Sequence, residues 1–143
     1  MTNNKSDLNE YLNGLDIDNK IKEIVKILSS TCFTISETIR ESSINNLIGK
    51  TGEINIQGEQ VEKLDEFANN LLISNLSKTG NVFAMGSEEI ESIISPNPNN
   101  NDAEYIVVFD PLDGSSNIDV SVTIGTIFSI YKKVKSDTND EAN

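Results

Sequence analysis

The chain has 143 residues, and 23 acidic against 11 basic side chains give it a formal net charge of -12. This excess of negative charge argues against binding to nucleic acid or to an anionic membrane, and an anionic small substrate would need bound cations to reverse the sign locally. Cys32 is the sole cysteine, and neither a signal-peptide pattern nor an apolar run of ~20 residues is present. We therefore expect a cytoplasmic protein with one modest core and no disulfide within the chain.

Apolar residues at helical spacing predict two helices. The first is expected from about Asn19 to Glu41, after a polar segment at residues 1–19 that lacks a clear period, and the second from Glu59 to Ser77. Three glycines are expected to make the stretch between them turn-rich: Gly49, Gly52 and Gly58. Four side chains on these helices are assigned to the core: Cys32, Leu64, Leu71 and Leu72.

The second half of the chain favours strands. Short runs rich in β-formers predict strands at Val82–Met85 and Ile106–Phe109, separated by a surface loop at Pro96–Asp102, and a long strand at Val120–Val134 interrupted near Gly125. Helices followed by strands indicate a layered α/β fold over residues 20–134, with a polar tail at 135–143. We expect the last strand to leave an uncovered sheet face and an open edge, which a partner chain or further protein would cover.

The run FDPLDGSSNID carries the clearest chemistry. Asp110 follows an apolar strand, and Asp113 places a second carboxylate within reach of the same cation. Gly114 allows close approach of the backbone, and Ser115 and Ser116 supply hydroxyl and amide donors suited to a phosphate. Hard oxygen ligands beside a phosphate-binding turn are typical of magnesium sites.

A second acidic cluster, Glu88 and Glu89, follows the other short strand. If the two strands lie near each other in the sheet, Glu88 would point toward Asp110 and Asp113. Carboxylates gathered in this way repel one another unless cations are bound, and adjacent glutamates can divide metal binding from proton transfer. The residues alone therefore predict a magnesium-dependent phosphate site, although paired glutamates and Asp-Pro or Asp-Gly turns are also common on surfaces that bind nothing.

The sequence DPLDGSSNID resembles the metal-binding signature of the fructose-1,6-bisphosphatase family, within the superfamily of lithium-sensitive sugar phosphatases. Its continuation through Asn117-Ile118-Asp119 to the run GTIFSIY at residues 125–131 is similar to the fructose-bisphosphatase branch rather than the inositol monophosphatase branch. Two upstream blocks agree in order and spacing, NIQGEQVEKLDEFAN at residues 55–69 and SEE at residues 87–89. The resemblance covers residues 20 to 133 and corresponds to the amino-terminal part of a family member.

The resemblance implies a role for each matching residue. The magnesium ligands are expected to be Glu88, Asp110, the backbone carbonyl of Leu112, and Asp113, with more than one ion in the site. The residues matching those that orient and deprotonate the attacking water are Asp65 and Glu89. The turn that contacts the phosphate matches Asp113, Gly114, Ser115 and Ser116. Glu59 matches a position that contacts a metal in some members.

The implied fold is the layered α/β sugar-phosphatase fold, of which only the amino-terminal portion is expected here. The implied reaction is the magnesium-dependent hydrolysis of fructose 1,6-bisphosphate to fructose 6-phosphate and phosphate in gluconeogenesis, by a homotetramer when complete. Because the residues that grip the remote phosphate lie in the later part of the family's sequence, we expect little activity from these 143 residues alone. Two alternatives remain: a sedoheptulose bisphosphatase or other sugar phosphatase of the superfamily, and a non-catalytic fragment or docking subunit.

Many members of the family bind AMP through a Thr-Gly-Glu loop and a later Lys-Tyr pair. The corresponding residues here are Asp18, Asn19 and Lys20, followed by Glu104 and Tyr105. A glutamate in place of a phosphate-binding lysine repels the ligand instead of attracting it. We therefore expect AMP regulation through this site to be weak or absent.

Overall fold

The computed structural model describes residues 7–48, 55–116 and 123–134, and it describes side chains in these ranges except at 42–61. Three helices precede four strands. The helices are α1 (Leu8–Asn13), α2 (Asn19–Ile48) and α3 (Asn55–Lys78). The strands are β1 (Val82–Ser87), β2 (Ile90–Ile94), β3 (Tyr105–Asp113) and β4 (Gly125–Lys132).

The four strands form one mixed sheet in the order β2-β1-β3-β4. The central strands β1 and β3 run parallel, and the edge strands β2 and β4 pair with them antiparallel. Ser87, the last residue of β1, is in register with Phe109. Since parallel strands end at the same edge of a sheet, the residues after Ser87 emerge beside those after Phe109. The adjacency on which the predicted site depends is therefore confirmed.

The helices cover one face of the sheet and form a layered α/β fold, as predicted. α3 contacts β1 and β3, α2 packs against α3, and α1 contacts α2. The buried core cluster joins all these layers except α1: Ile24, Leu28, Ile35, Ala68, Leu72, Leu76, Val82, Met85, Tyr105, Val107, Phe109 and Leu112. Leu72 is in the core as predicted, whereas Leu64 and Leu71 are half-buried and pack around it.

The assignment of Cys32 to the core is wrong, because Cys32 is half-buried at the margin of the helix layer. The buried face of this part of α2 is formed by Leu28, Thr31 and Ile35. Each residue turns a helix by about 100°, so Cys32 lies at the side of that face and is only partly covered.

The ends of the helices differ from the predictions, which relied on glycines and polar residues as signs that a helix is absent. α2 begins at Asn19 as predicted but continues to Ile48, and α3 begins at Asn55, so Gly58 lies inside a helix instead of interrupting one. Gly49 and Gly52 lie outside the described residues. The polar amino-terminal segment contains α1, which its composition concealed. Asp7 caps this helix by accepting a hydrogen bond from the backbone amide of Asn9, and Gly14 closes its other end.

The two central strands occur where predicted and extend further than the apolar runs. β2 was not predicted, because its sequence IESII is short and its middle residues are exposed at a sheet edge. The last strand spans only Gly125–Lys132, while Val120 and the polar tail at 135–143 lie outside the described residues. The loop Pro96–Asp102 is confirmed, and Asn97 and Asn100 anchor it by donating to backbone carbonyls at the carboxyl end of α3.

The sheet face opposite the helices carries exposed apolar side chains. Val107 and Phe109 point into the core, so the alternating side chain of Val108 lies on the other face, where it is 38% exposed. On β4, Ile127 and Tyr131 are 57% and 56% exposed. The described part of the sheet thus has the uncovered face that its sequence predicted. Within the described ranges, no helix combines the length and apolarity needed to cross a bilayer.

Candidate active site

The carboxyl end of β3 holds Asp110 in a local turn. The backbone amide of Leu112 donates a 3.0 Å hydrogen bond to Oδ1 of Asp110, which fixes the direction of the carboxylate. The pairing of β3 with β4 shifts register between Asp110 and Asp113. Oγ1 of Thr126 donates a 2.9 Å hydrogen bond to the carbonyl of Pro111 inside this irregular stretch. Asp110 is half-buried, its carboxylate is oriented by the Leu112 amide, and the backbone that follows it is held by Thr126 of β4.

Glu88 and Glu89 form the turn that joins β1 to β2. The backbone amide of Glu88 donates a 3.1 Å hydrogen bond to the carbonyl of Phe109, which brings Glu88 beside Asp110. Glu88 and Asp110 both line an open cleft of about 410 Å³. Two-residue hairpin turns favour Asn-Gly or Asp-Gly, and two glutamates bring no such conformational advantage. The choice of residues is thus better explained by their carboxylates than by the turn.

Asp65 reaches the same region from α3. Burial raises the pKa of its carboxyl, a hydrogen bond from the side chain of Ser115 opposes this shift, and the negative charges of Asp110 and Glu88 raise the pKa further. Oδ1 of Asp65 is buried and has no hydrogen-bond partner in the described part of the chain. An unpaired buried carboxylate oxygen is costly, so this atom is suited to a ligand, an ion or a water molecule.

The pKa of Glu89 is raised as well, by desolvation first and then by the charges of Asp65, Glu88 and Asp110. The negative charges of Glu88 and Asp110 therefore act on both Asp65 and Glu89, and these four predicted site residues come from three separate segments. Like charges disfavour ionisation of their neighbours, and cations placed among them would relieve the repulsion.

The predicted phosphate turn begins at the end of β3. Gly114 has a φ of +80°, a left-handed conformation that glycine adopts without steric cost, so its place in the motif has a structural reason. Ser115 is half-buried and close enough to hydrogen-bond Asp65, whereas Ser116 and Asp113 are exposed. Asp113 is not among the charges that shift the pKa of Asp65 or Glu89.

The donor set suits a hard divalent cation, although it is not a closed coordination sphere. Among the residues that the structure describes, no three acidic, histidine or cysteine side chains are close enough together to hold a metal ion. The donors that are present are carboxylate oxygens, the ligand type that magnesium prefers, and one buried oxygen of Asp65 lacks a partner. Glu59 lies on α3, but its side chain is outside the described set.

Three residues at the site were given no role from the sequence. Oγ of Ser87 donates a 2.7 Å hydrogen bond to Oδ1 of Asn69. The same oxygen accepts a 3.2 Å hydrogen bond from the backbone amide of Glu89. The third residue is Thr126, which anchors the carbonyl of Pro111. A signal for Asn69 was available, because it stands one helical turn after Asp65 and therefore shares its face of α3.

Comparison with known proteins places this chain in a family. The family model described as "Fructose-1-6-bisphosphatase, N-terminal domain" matches residues 1–143. The chain belongs to the fructose-1,6-bisphosphatase family. Two curated relatives named fructose-1,6-bisphosphatase class 1, from Sulfurihydrogenibium sp. (strain YO3AOP1) and Chlorobium phaeovibrioides, are 50% identical over 119 residues and 48% identical over 118 residues. These matches cover 83% and 80% of this chain.

The fold of this fructose-1,6-bisphosphatase family member also matches solved structures. The holo form of Leishmania major fructose-1,6-bisphosphatase has a TM-score of 0.72 and 26% sequence identity to it, over 90% of this chain and 38% of that one. The match to the T-state of the same enzyme has a TM-score of 0.68. The chain spans about a third of the length of the curated relatives it matches, 36% and 35% for the two named above.

Proposed function

We propose that this chain supplies the metal-binding and water-activating part of a fructose-1,6-bisphosphatase, which hydrolyses the 1-phosphate of fructose 1,6-bisphosphate. The observation that carries the proposal is the convergence of Asp65, Glu88, Glu89 and Asp110 beside the turn that begins at Gly114. Relatives about half identical to this chain carry the name of that enzyme. Cytoplasmic location remains a prediction from the sequence pattern, and assembly into a homotetramer remains a prediction from the resemblance.

Magnesium is the expected cofactor, with more than one ion per site. Its ligands would be Glu88, Asp110, Asp113 and the backbone carbonyl of Leu112. When bound, magnesium neutralises phosphoryl oxygens and the departing alkoxide during phosphoryl transfer. Bound cations also resolve the conflict between a chain of net charge -12 and an anionic substrate.

The protein residues would position the phosphate and accept a proton. The backbone turn at Gly114 and the hydroxyls of Ser115 and Ser116 would hold the 1-phosphate next to Asp65. The raised pKa of Asp65 and of Glu89 makes each carboxylate a better proton acceptor than a carboxylate with an ordinary pKa. As water adds to phosphorus, one of its protons passes to this pair, the bond from phosphorus to the sugar oxygen breaks, and the pair then returns that proton to the sugar oxygen through solvent.

The test is phosphate release from fructose 1,6-bisphosphate, with and without magnesium, by the protein as its gene encodes it. The variant Asp110→Ala should lower magnesium-dependent release by a hundredfold or more, on the order of the contribution of a group that acts in the transition state. Glu66→Gln is the matched control, because Glu66 is an exposed carboxylate next to Asp65 on the same helix. It should leave the rate unchanged.

Three outcomes separate the candidate functions. Preference for fructose 1,6-bisphosphate over sedoheptulose 1,7-bisphosphate supports the proposal, and the reverse preference assigns the site to the neighbouring enzyme of the superfamily. A folded, magnesium-binding protein that releases no phosphate from either sugar would contradict the proposed activity and favour the non-catalytic docking subunit.

A further inference from the structure

A buried hydrogen-bonded pair links the helix layer to the turn formed by Glu88 and Glu89, which we call the acidic turn. The pair consists of Asn69 on α3 and Ser87 at the end of β1, which are 6% and 9% exposed. The Ser87 hydroxyl donates to the Asn69 side-chain carbonyl at 2.7 Å, and the Ser87 oxygen accepts the amide of Glu89 at 3.2 Å. A serine hydroxyl has one proton to donate, so its direction is set by Asn69 and its lone pairs face the turn.

The position of this pair ties two parts of the candidate site together. Asp65 and Asn69 are one helical turn apart on the same face of α3. The side chain that anchors Ser87 and a proposed proton acceptor are therefore held by the same helix. The amide of Glu88 is already held by Phe109 of β3 at 3.1 Å. Both amides of the acidic turn are thus fixed, one from the neighbouring strand and one from the helix layer through Ser87.

The core does not need this pair for packing. A buried polar group adds little net stability even when it is hydrogen-bonded, and it costs stability as soon as its partner is lost. Two apolar side chains would join α3 to β1 at least as well. The Asn69–Ser87 bond is better explained by the direction it gives to the acidic turn.

We propose that Asn69 and Ser87 are positioning residues that hold the Glu88–Glu89 turn at a set distance from Asp65. The inference rests on the proposed function, because it assigns Glu88 to magnesium and Glu89 to the attacking water. Neither Asn69 nor Ser87 contacts substrate or metal in this account. Their effect passes through the backbone of the turn.

The chain offers a matched control for this proposal. Nδ2 of Asn75 donates a 3.1 Å hydrogen bond to the hydroxyl of Thr31, which is 1% exposed, and this pair joins α2 to α3. Thr31→Val removes a buried hydroxyl from a helix-to-helix contact, whereas Ser87→Ala removes one from the contact that leads to Glu89. The two variants should lose comparable thermal stability.

The experiment compares wild type, Ser87→Ala, Ser87→Thr and Thr31→Val in the protein as its gene encodes it. Ser87→Ala should lower kcat about three- to tenfold, the equivalent of one hydrogen bond, and raise the magnesium concentration for half-maximal rate by a similar factor. KM for the sugar bisphosphate should change less than kcat. Ser87→Thr keeps the hydroxyl and should restore most of the rate, and Thr31→Val should leave kcat and the magnesium requirement at wild-type values.

Two results would overturn the proposal. One is a Ser87→Ala variant with wild-type kcat and magnesium requirement, and the other is a loss of rate in Thr31→Val that matches the loss in Ser87→Ala. The wild-type protein separates this failure from failure of the proposed function, since only the latter abolishes wild-type turnover. In that case, calorimetric titration with magnesium alone decides the matter: Ser87→Ala should bind the ion more weakly than wild type, and equal binding would reject the positioning role.

Discussion

Tyr105 donates a 2.8 Å hydrogen bond from its hydroxyl to Oδ2 of Asp18, 87 positions earlier in the chain. The other carboxylate oxygen of Asp18 accepts the backbone amide of Lys20 at 2.9 Å, at the start of α2. One carboxylate therefore caps a helix and anchors the first residue of β3. The amide of Lys20 and then the hydroxyl of Tyr105 lower the pKa of Asp18 below its ordinary value of 3.8.

This contact predicts a specific acid dependence of stability. Because the pKa of Asp18 is lower in the folded protein than in the unfolded chain, its stabilising contribution is fully present above about pH 4 and is lost as the pH falls through the folded pKa. Asp18→Asn should therefore lower the melting temperature near pH 7 and become indistinguishable from wild type in strong acid. Melting curves from pH 7 down to about pH 2 test this prediction. An equal deficit at every pH would contradict it.

Replacing Asp65 should lower the catalytic rate and raise the stability of the folded protein. Asp65→Asn removes a charge whose buried oxygen has no partner and whose neighbours are other carboxylates, so the free energy of unfolding without magnesium should rise by about 1 kcal/mol. The same change removes a proposed proton acceptor and should lower kcat by about a hundredfold or more. Denaturant unfolding and phosphate release measure the two effects. Glu66→Gln should show neither effect, and a destabilised Asp65→Asn would mean that the buried oxygen Oδ1 has a partner.

The bond from Thr126 to Pro111 should matter for metal binding. Thr126→Val removes the 2.9 Å hydrogen bond that secures the irregular stretch between Asp110 and Asp113. We expect a loss of about 1 kcal/mol in stability and a higher magnesium requirement, because two of the three proposed metal carboxylates, Asp110 and Asp113, flank that stretch. Thr126→Ser keeps the hydroxyl and should behave as wild type. An unchanged magnesium requirement in Thr126→Val would place the bond outside the site.

AMP should have little effect on this protein. Glu104 pairs with Lys20 at 3.5 Å and with Lys132 at 3.7 Å, so the cations at this position already have a carboxylate partner. An incoming phosphate would have to compete with that carboxylate for both lysines. Phosphate release at rising AMP concentration should stay constant, whereas Glu104→Lys should gain sensitivity to AMP and lose thermal stability. Saturable inhibition of the wild-type enzyme would show the prediction wrong.

The sequence predicted those elements in which each residue agrees with its surroundings. The helical spacing of apolar residues from Ile21 predicted the start of α2, and the runs that became β1 and β3 are rich in buried β-formers. Gly58 lies inside α3, because a single glycine costs a helix only about 1 kcal/mol relative to alanine. The strand β2 was missed because an exposed edge strand has no apolar alternation to detect.

The site was predictable as a set of residues but not as an arrangement. The residues around Asp110 indicate a metal and phosphate site by themselves. The distance from Asp110 to Glu88, in contrast, depends on the parallel pairing of β1 with β3, which no local pattern encodes. The bond between Asn69 and Ser87 was hidden for the same reason, since an asparagine in a helix and a serine at a strand end are each unremarkable alone. The structure adds which of these side chains meet.

The shared helical turn of Asp65 and Asn69 also limits how the chain length can vary. One residue inserted between them would rotate the second about 100° around α3 and carry it away from Ser87. An insertion in the loop Pro96–Asp102 would leave both side chains where they are. That loop joins β2 to the beginning of β3, whereas the acidic turn lies at the end of the sheet where β1 and β3 finish. Differences in length among related proteins should therefore collect in the loop and be absent from this one turn of helix.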